Sequence, residues 1–369
     1  MAGIMEALLN QAARWKLPAS GTFELTARCN LDCKMCYIHK KAQDRQALSM
    51  ERPTAFWLDL VEQLKKAGTL TLLITGGEPF LRPDFKEIYL AAKQAGFVLI
   101  INSNGSMLTD DMIDFLGQYP PARLNISLYG ASPETYAALC GRPEVYDLVT
   151  ANIRKLRERK VNVILHYTVT PYNRQDAGEI YAFARSLGLR VKNATYMFPP
   201  MRSCESCCGE AVRMSPEEAA QMAVQCQRYH LSREKFLGQA ASYARGAALL
   251  EETEPEELRA PGERIFCRAG SSSFWITYEG RLLPCGLLPI LSYDLGETAF
   301  AEAWQALKED CLKIDLPPQC TGCSLRKYCE VCAANCYGET GGFDRAPEYI
   351  CRKTKATVRL MAQAAAEAP

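Results

Sequence analysis

The chain has 369 residues, with 43 Lys and Arg against 42 Asp and Glu, giving a net charge of +1. That balance leaves no electrostatic footprint for nucleic acid or an anionic membrane. No stretch approaches the roughly 20 apolar residues of a membrane span.

Taken in chain order, Met1 to Lys16 reads as a mildly amphipathic helix (Ile4, Leu8, Leu9, Trp15) without a continuous apolar signal segment. From Phe23 to Phe198, short apolar runs alternate with helix-period segments. The strand-like runs are 23–27, 70–75, 97–102, 123–128, 161–170 and 191–198. Between them lie helical stretches over 54–67, 85–95, 110–119, 146–160 and 176–187. Thr109 followed by Asp110 and Asp111 marks an N-cap, and Gly188 a helix stop. The Arg154 to Lys160 run reads as a solvated helix face. Six β–α alternations predict a parallel sheet coiled into a barrel or part of one. In such folds the loops after strand C-termini carry the site.

Beyond Phe198, Met201 to Gly209 is a Cys-rich break, and Ser215-Pro216-Glu217-Glu218 reads as a capped helix start. An Ala-rich helical region runs to about Leu250, and the acidic 251–257 stretch reads as a connection. From Cys267 the pattern changes to short strands, turns and many cysteines, with a helical tail after Lys355. The expected units are an N-terminal helix (1–22), a barrel (23–200), a helical linker (201–262), a Cys-rich domain (263–355) and a C-terminal helix (356–369).

Seventeen cysteines fit either a disulfide scaffold or metal clusters. With no signal peptide, a cytoplasmic, metal-loaded protein is the expectation. Cys29, Cys33 and Cys36 form C-x3-C-x2-C in the loop after the first strand. Three soft ligands suit an iron–sulfur cluster better than structural zinc, which takes four. Thr75-Gly76-Gly77-Glu78-Pro79 closes the second strand, with paired glycines that let backbone approach a ligand. Asn102-Ser103-Asn104-Gly105 closes the third, and Ser127-Leu128-Tyr129-Gly130 the fourth.

In this order, these motifs resemble the radical S-adenosylmethionine (SAM) superfamily over 23–198. The resemblance implies an α/β fold, a partial (β/α)6 TIM-type barrel. It implies that Cys29, Cys33 and Cys36 hold a 4Fe–4S cluster whose open iron takes the amino and carboxylate groups of SAM. Gly76, Gly77, Glu78 and Pro79 match the element that receives the SAM amino group. Asn102, Ser103, Asn104 and Ser127 match positions contacting ribose or carboxylate, and Arg142 is a further carboxylate candidate. Met35 stands where many members carry an aromatic residue near the adenine. Cluster potentials span about −700 to +450 mV, and one-electron cleavage of SAM needs the low end. A flavodoxin- or ferredoxin-type donor is the implied reductant, and the product is a 5′-deoxyadenosyl radical. No further catalytic residue is assigned.

The later cysteines resemble the SPASM extension of peptide and protein maturases, a small-strand domain holding two auxiliary 4Fe–4S clusters. Cys267, Gly280, Cys285, Cys320, Cys323, Cys329 and Cys351 match its spacing. Ala333 replaces one motif cysteine and is flanked by Cys332 and Cys336. The resemblance implies an outer cluster on Cys320, Cys323, Cys329 and Cys351. It implies an inner one on Cys267, Cys285 and one or both of Cys332 and Cys336. Cys140, Cys226 and Cys311 read as small buried hydrophobes, and Cys204, Cys207 and Cys208 as a variable loop. His39, His166 and His230 form no metal pattern, although His166 lies in the fifth strand and either faces the cavity or sits in the core.

SPASM members mostly modify peptides or proteins, by thioether formation, carbon crosslinking, epimerisation or oxidation to formylglycine. The first expectation is therefore oxidative modification of a ribosomal peptide or protein side chain. A small-molecule dehydrogenase and a non-catalytic iron–sulfur carrier are the alternatives. The sulfatase-maturing branch is disfavoured, because its aspartate after the second motif cysteine is Gly286 here, and losing a hydroxyl proton needs a base in reach. Only 22 residues precede the first strand, too few for a domain of their own, so a leader-bearing substrate is expected to be recognised by a separate leader-binding protein or by another surface.

Overall fold

The computed structural model describes residues 2–202, 212–250 and 267–367. The Cys204, Cys207 and Cys208 loop and the acidic 251–257 connection lie outside them. After helix α1 (Ala2–Trp15), strand β1 (Ser20–Glu24) enters the sheet and ends at the cysteine loop. Two short strands, β2 (Arg28–Cys29) and β3 (Lys40–Lys41), pair in parallel and clip that loop shut at its base. Helices α2 (Arg45–Met50) and α3 (Thr54–Lys66) follow. The alternation then runs β4 (Thr71–Thr75), α4 (Phe85–Gln94), β5 (Val98–Ser103), α5 (Asp110–Gln118) and β6 (Arg123–Ser127). It continues with α6 (Pro133–Cys140), α7 (Val145–Glu158), β7 (Val163–Thr168), α8 (Ala177–Ser186) and β8 (Arg190–Ala194).

The six strands β1-β4-β5-β6-β7-β8 pair in parallel in that order, as the alternation predicts. Thr109 caps α5 by accepting the Met112 N–H at 3.2 Å, and Gly188 follows α8 at φ +62°. The first strand begins three residues earlier than its apolar run suggests. Its polar start is held by two neighbours, with Ser20 opposite both Thr71 and Ser273. Helix α6 has no apolar period and escapes a pattern search. Ser132 caps it and Gly141 ends it at φ +70°.

The sheet does not stop at the barrel. Strand β9 (Ser273–Ile276) adds in parallel to the free side of β1, followed by antiparallel β10 (Arg281–Leu283) and β11 (Tyr293–Asp294). One nine-stranded sheet therefore joins the cysteine-rich region to the barrel. Gly21 permits the join, since a Cβ there would lie 2.5 Å from the Phe274 ring.

Helices α9 (Pro216–His230), α10 (Arg233–Ala241) and α11 (Ala244–Leu249) pack against the last helix, α14 (Glu348–Ala366). The predicted cap at Ser215 is a capping box: its hydroxyl accepts the Glu218 N–H, and Glu218 accepts the Ser215 N–H at 3.0 Å. Helix α14 starts at Glu348, behind Pro347, so Cys351 lies in its first turns instead of ahead of it. Helices α12 (Phe300–Cys311) and α13 (Ala333–Thr340) complete the C-terminal region.

The core lies between the outer faces of the strands and the helices, with Phe23, Leu72, Ile101, Leu124 and Leu165 fully or almost fully buried. Trp57 of α3 is the largest fully buried side chain, its ring 4.8 Å from Phe23 and 5.4 Å from Phe56. Trp57→Ala should lower the unfolding free energy of the apo chain by about 3–5 kcal/mol, read from denaturant titrations at unchanged m-value.

Candidate active site

The strand ends converge on one cavity of about 400 Å³. Its lining includes Cys29, Cys33 and Cys36 together with Gly76, Gly77, Asn102, Ser103, Asn104 and Ser127. The sequence motifs thus meet at the C-terminal mouth of the barrel. Pro79 and Glu78 are buried and are not part of the lining.

The cysteine loop is held by the glycine motif. The Gly77 N–H donates to the Thr26 carbonyl at 2.7 Å, and the Glu78 N–H to the Arg28 carbonyl at 2.9 Å. A Cβ on Gly77 would sit 2.3 Å from the Arg28 carbonyl oxygen and 2.4 Å from that of Ala27. The glycines therefore serve the close approach of two backbones as well as an open wall.

Glu78 is fully buried, and its carboxylate accepts the Ser103 hydroxyl at 3.0 Å and the Asn104 N–H at 2.8 Å. Burial pushes its pKa up to about 7 against those hydrogen bonds. The Asn104 amide donates to Asn30 Oδ1 at 2.9 Å and to Cys29 Sγ at 3.5 Å. Glu78, Ser103 and Asn104 thus tie the ends of β4 and β5 to the cysteine loop. Asn102 accepts from the Asn125 amide at 2.6 Å. Arg142 does not line the cavity: it is half-exposed, bonds Glu144, and donates to the Asn30 carbonyl at 3.2 Å, bracing the loop from outside.

Burial raises the Cys29 thiol well above its ordinary value and raises that of Cys36 as well. Cys33 is raised by the Cys140 thiol beside it and by burial. Sequence reading had left Cys140 isolated; the loop and α6 bring it against Cys33, where Asp32 N–H bonds the Cys140 carbonyl at 3.2 Å. Among the described residues, no three His, Cys, Asp or Glu side chains converge tightly enough for a single metal ion. Three largely buried thiols lining one cavity with Gly76 and Gly77 fit a larger iron–sulfur cluster, whose iron supplies the positive charge that buried thiolates need.

The mouth above this site is lined by Met35, Tyr37, Tyr129, Tyr196, Met197, Phe198 and Leu287. Met35 is at the cavity, where the resemblance places adenine. His166 shares the inward parity of Thr168 in β7 but lies one layer deeper, outside the lining. Burial, Lys192 and Arg123 push its pKa down to about 4, so it is neutral at pH 7.

Sequence reading missed the charged pair that braces the mouth. Glu24 ends β1 fully buried, and both of its oxygens accept from Arg202 at 2.7 Å. The Trp275 indole N–H donates to the same carboxylate at 2.9 Å. Burial works against the Arg202 charge, but Glu24 outweighs it and holds the guanidinium pKa up. The available signal was a lone carboxylate in a buried strand. Its partner, on the segment after β8, has no fixed spacing to it.

A second cavity, of about 120 Å³, lies beyond β9 and β10 and is lined by Cys267, Cys285, Cys311 and Cys332. Burial pushes Cys285 up to about 11 and Cys311 up to about 12. Cys336 is not among its lining residues. It is fully buried in an apolar cluster with Cys320, Val331 and Ile350, against which Cys329 packs. The thiols of Cys329 and Cys323 join burial in raising Cys351. The later cysteines thus separate into two groups, and α13 sends Cys332 to one and Cys336 to the other.

The profile of the radical SAM superfamily matches residues 23–184. The chain carries a radical SAM domain over those residues. The cofactors of that superfamily are SAM and 4Fe–4S clusters. The AdoMet-dependent heme synthase of Methanosarcina barkeri is 27% identical over 348 residues, covering 90% of this chain and 96% of that one. The sporulation killing factor maturation protein SkfB of Bacillus subtilis is 24% identical, covering 73% of this chain and 61% of SkfB. Streptococcus suis SuiB bound to the precursor peptide SuiA shares the fold at TM-score 0.68 and 18% identity, covering 94% of this chain and 78% of SuiB.

Two outcomes test this geometry. In this radical SAM domain, Gly77→Ala should displace the cysteine loop and weaken SAM binding at least tenfold by equilibrium dialysis, while far-UV circular dichroism stays unchanged. Arg202→Ala strands the Glu24 carboxylate and should cost about 3–5 kcal/mol in denaturant unfolding. The Glu24→Gln/Arg202→Ala double variant should regain part of that loss.

Proposed function

We propose that this radical SAM enzyme takes a hydrogen atom from a peptide or protein side chain held at the barrel mouth. The carbon radical left behind would close a new bond with loss of a proton to solvent, and its unpaired electron would pass toward the second cysteine site. The observation that carries this reading is the segment from Cys285 to Leu288. Leu287 lines the mouth cavity, while Cys285 and Leu288 line the second one. A substrate carbon at the mouth therefore lies one turn of backbone away from the second group of thiols.

The residues divide the work. Cys29, Cys33 and Cys36 hold the first cluster, with Gly76, Gly77, Asn102 and Ser127 facing the SAM amino, carboxylate and ribose groups. Cys267, Cys285 and Cys332 hold the inner auxiliary cluster, and Cys320, Cys323, Cys329 and Cys351 the outer one. When bound, these groups supply an organic radical at the mouth and a one-electron acceptor behind it. Tyr129, Tyr196, Phe198 and Leu287 keep the mouth apolar and limit access of water to the reacting carbon. Gly286 offers no side-chain base, which counts against oxidation of a substrate hydroxyl, since that reaction must also lose the hydroxyl proton. The maturation role in the name of SkfB and the precursor peptide bound to SuiB support a peptide substrate.

A second reading has an observation of its own. The heme synthase aligns over almost its whole length, and an aromatic, apolar mouth also suits a tetrapyrrole. Anaerobic reconstitution with SAM and a low-potential reductant separates the readings. A precursor peptide encoded beside the gene should lose hydrogen by mass spectrometry and stimulate 5′-deoxyadenosine release at least tenfold, with no product from Cys29→Ala. An iron porphyrin that is consumed while the peptide is returned unchanged would replace the peptide reading with the tetrapyrrole one.

A further inference from the structure

We propose that Cys311 is the fourth thiolate ligand of the inner auxiliary cluster, beside Cys267, Cys285 and Cys332. The inference rests on the reading that those three cysteines hold a cluster. The spacing of Cys311 gives no hint of this role, since it stands alone at the end of α12. The fold brings it to the cavity lined by the other three.

Four separate segments deliver the four thiols. Cys267 comes from the turn leading into β9, Cys285 from the loop after β10, Cys311 from the last residue of α12, and Cys332 from the residue before α13. This convergence comes from tertiary packing and not from a local turn. The cavity is otherwise mostly small and apolar, with Gly270, Pro284, Leu288, Ala333 and Ala334 among its walls.

Gly270 provides the second observation. It adopts φ +67°, and a Cβ built on it would lie 2.2 Å from Cys311 Sγ and 2.7 Å from Cys311 Cβ. Any side chain there would collide with Cys311. The turn that carries Cys267 is therefore open on the side from which the Cys311 thiol arrives.

The rival for this position is Cys336, which lies within the C-x2-C-x5-C-x2-C-x3-C run. It is 0% exposed, packs with Cys320, and takes no part in lining the inner cavity. Assigning Cys311 to the inner group gives each auxiliary site four thiols, with Cys336 left as a fifth beside the outer one.

The ligation is a simple exchange. Cys311 releases its thiol proton to solvent as the Sγ–iron bond forms, and no electron is transferred. An inner cluster closed by four thiolates has no open iron for substrate. Its role is then restricted to carrying electrons, and substrate is held by the barrel mouth alone.

The test uses the full chain, reconstituted anaerobically with iron and sulfide and saturated with SAM to fill the first site. Iron content and the EPR spectrum of the reduced protein are read with and without cyanide as an added iron ligand. Wild type should hold roughly 12 iron atoms at four per cluster, with auxiliary signals that ignore cyanide. Cys311→Ala should either lose about four iron atoms per chain or gain a cyanide-shifted signal. Cys311→Ser, which keeps an oxygen ligand and the local volume, should retain the iron with shifted g-values. Cys336→Ala should match wild type in both readouts. The proposal is overturned if Cys311→Ala matches wild type in both, if Cys336→Ala opens the site instead, or if wild type already responds to cyanide. Wild type holding only about four iron atoms would overturn the auxiliary-cluster reading itself, and this inference with it.

Discussion

Everything at the barrel mouth depends on the position of β1 inside the sheet. A strand with parallel neighbours on both sides has all of its backbone groups committed, so its last residue points in one fixed direction. Here β4 and β9 are those neighbours, and the cysteine loop leaves from that end. The ladder carries on past the regular strand, through the Leu25, Gly77 and Glu78 N–H groups, into the loop itself. Sheet hydrogen bonding thus fixes where the loop begins, and side-chain bonds such as that from Asn104 to Asn30 hold it from there.

Two buried carboxylates refine that placement from opposite sides. Glu78 binds the glycine motif to the end of β5 through neutral donors. Glu24 is matched by a guanidinium and an indole that come from two other parts of the chain. A buried charge with a bidentate partner is more a device for fixing geometry than a source of net stability. The pair holds the segment after β8 against β1 and β9, and so closes one side of the mouth.

Much of this was legible in sequence because it is local. The β–α alternation, the C-x3-C-x2-C loop and the strand-end motifs each involve neighbours in the chain, and period and spacing report them faithfully. The start of β1 was misplaced because Ser20, Gly21 and Thr22 are strand by pairing and not by apolar pattern. Helix α6 has a cap and a stop but no amphipathic stripe. Arg202 and Cys311 were beyond reach for a common reason: their partners are distant in sequence, and nothing about a single Arg or Cys announces where a fold will carry it. The parting of Cys332 from Cys336 depends on α13 beginning between them, a boundary that the cysteine spacing alone does not reveal.

The contact of Gly21 with the Phe274 ring also bears on how the protein is made. During synthesis, β1 and its cysteine loop emerge long before β9 exists, so for most of that time β1 is an edge strand with one side unpaired. Its second partner is a non-local pairing of the kind that forms late in folding. The thiol loop thus passes its early life on an incomplete sheet, and its final setting arrives with the segment that also brings Cys267 and Cys285. Both cysteine-lined cavities in this way depend on one late step, the docking of β9, before α12 and α13 can complete the second.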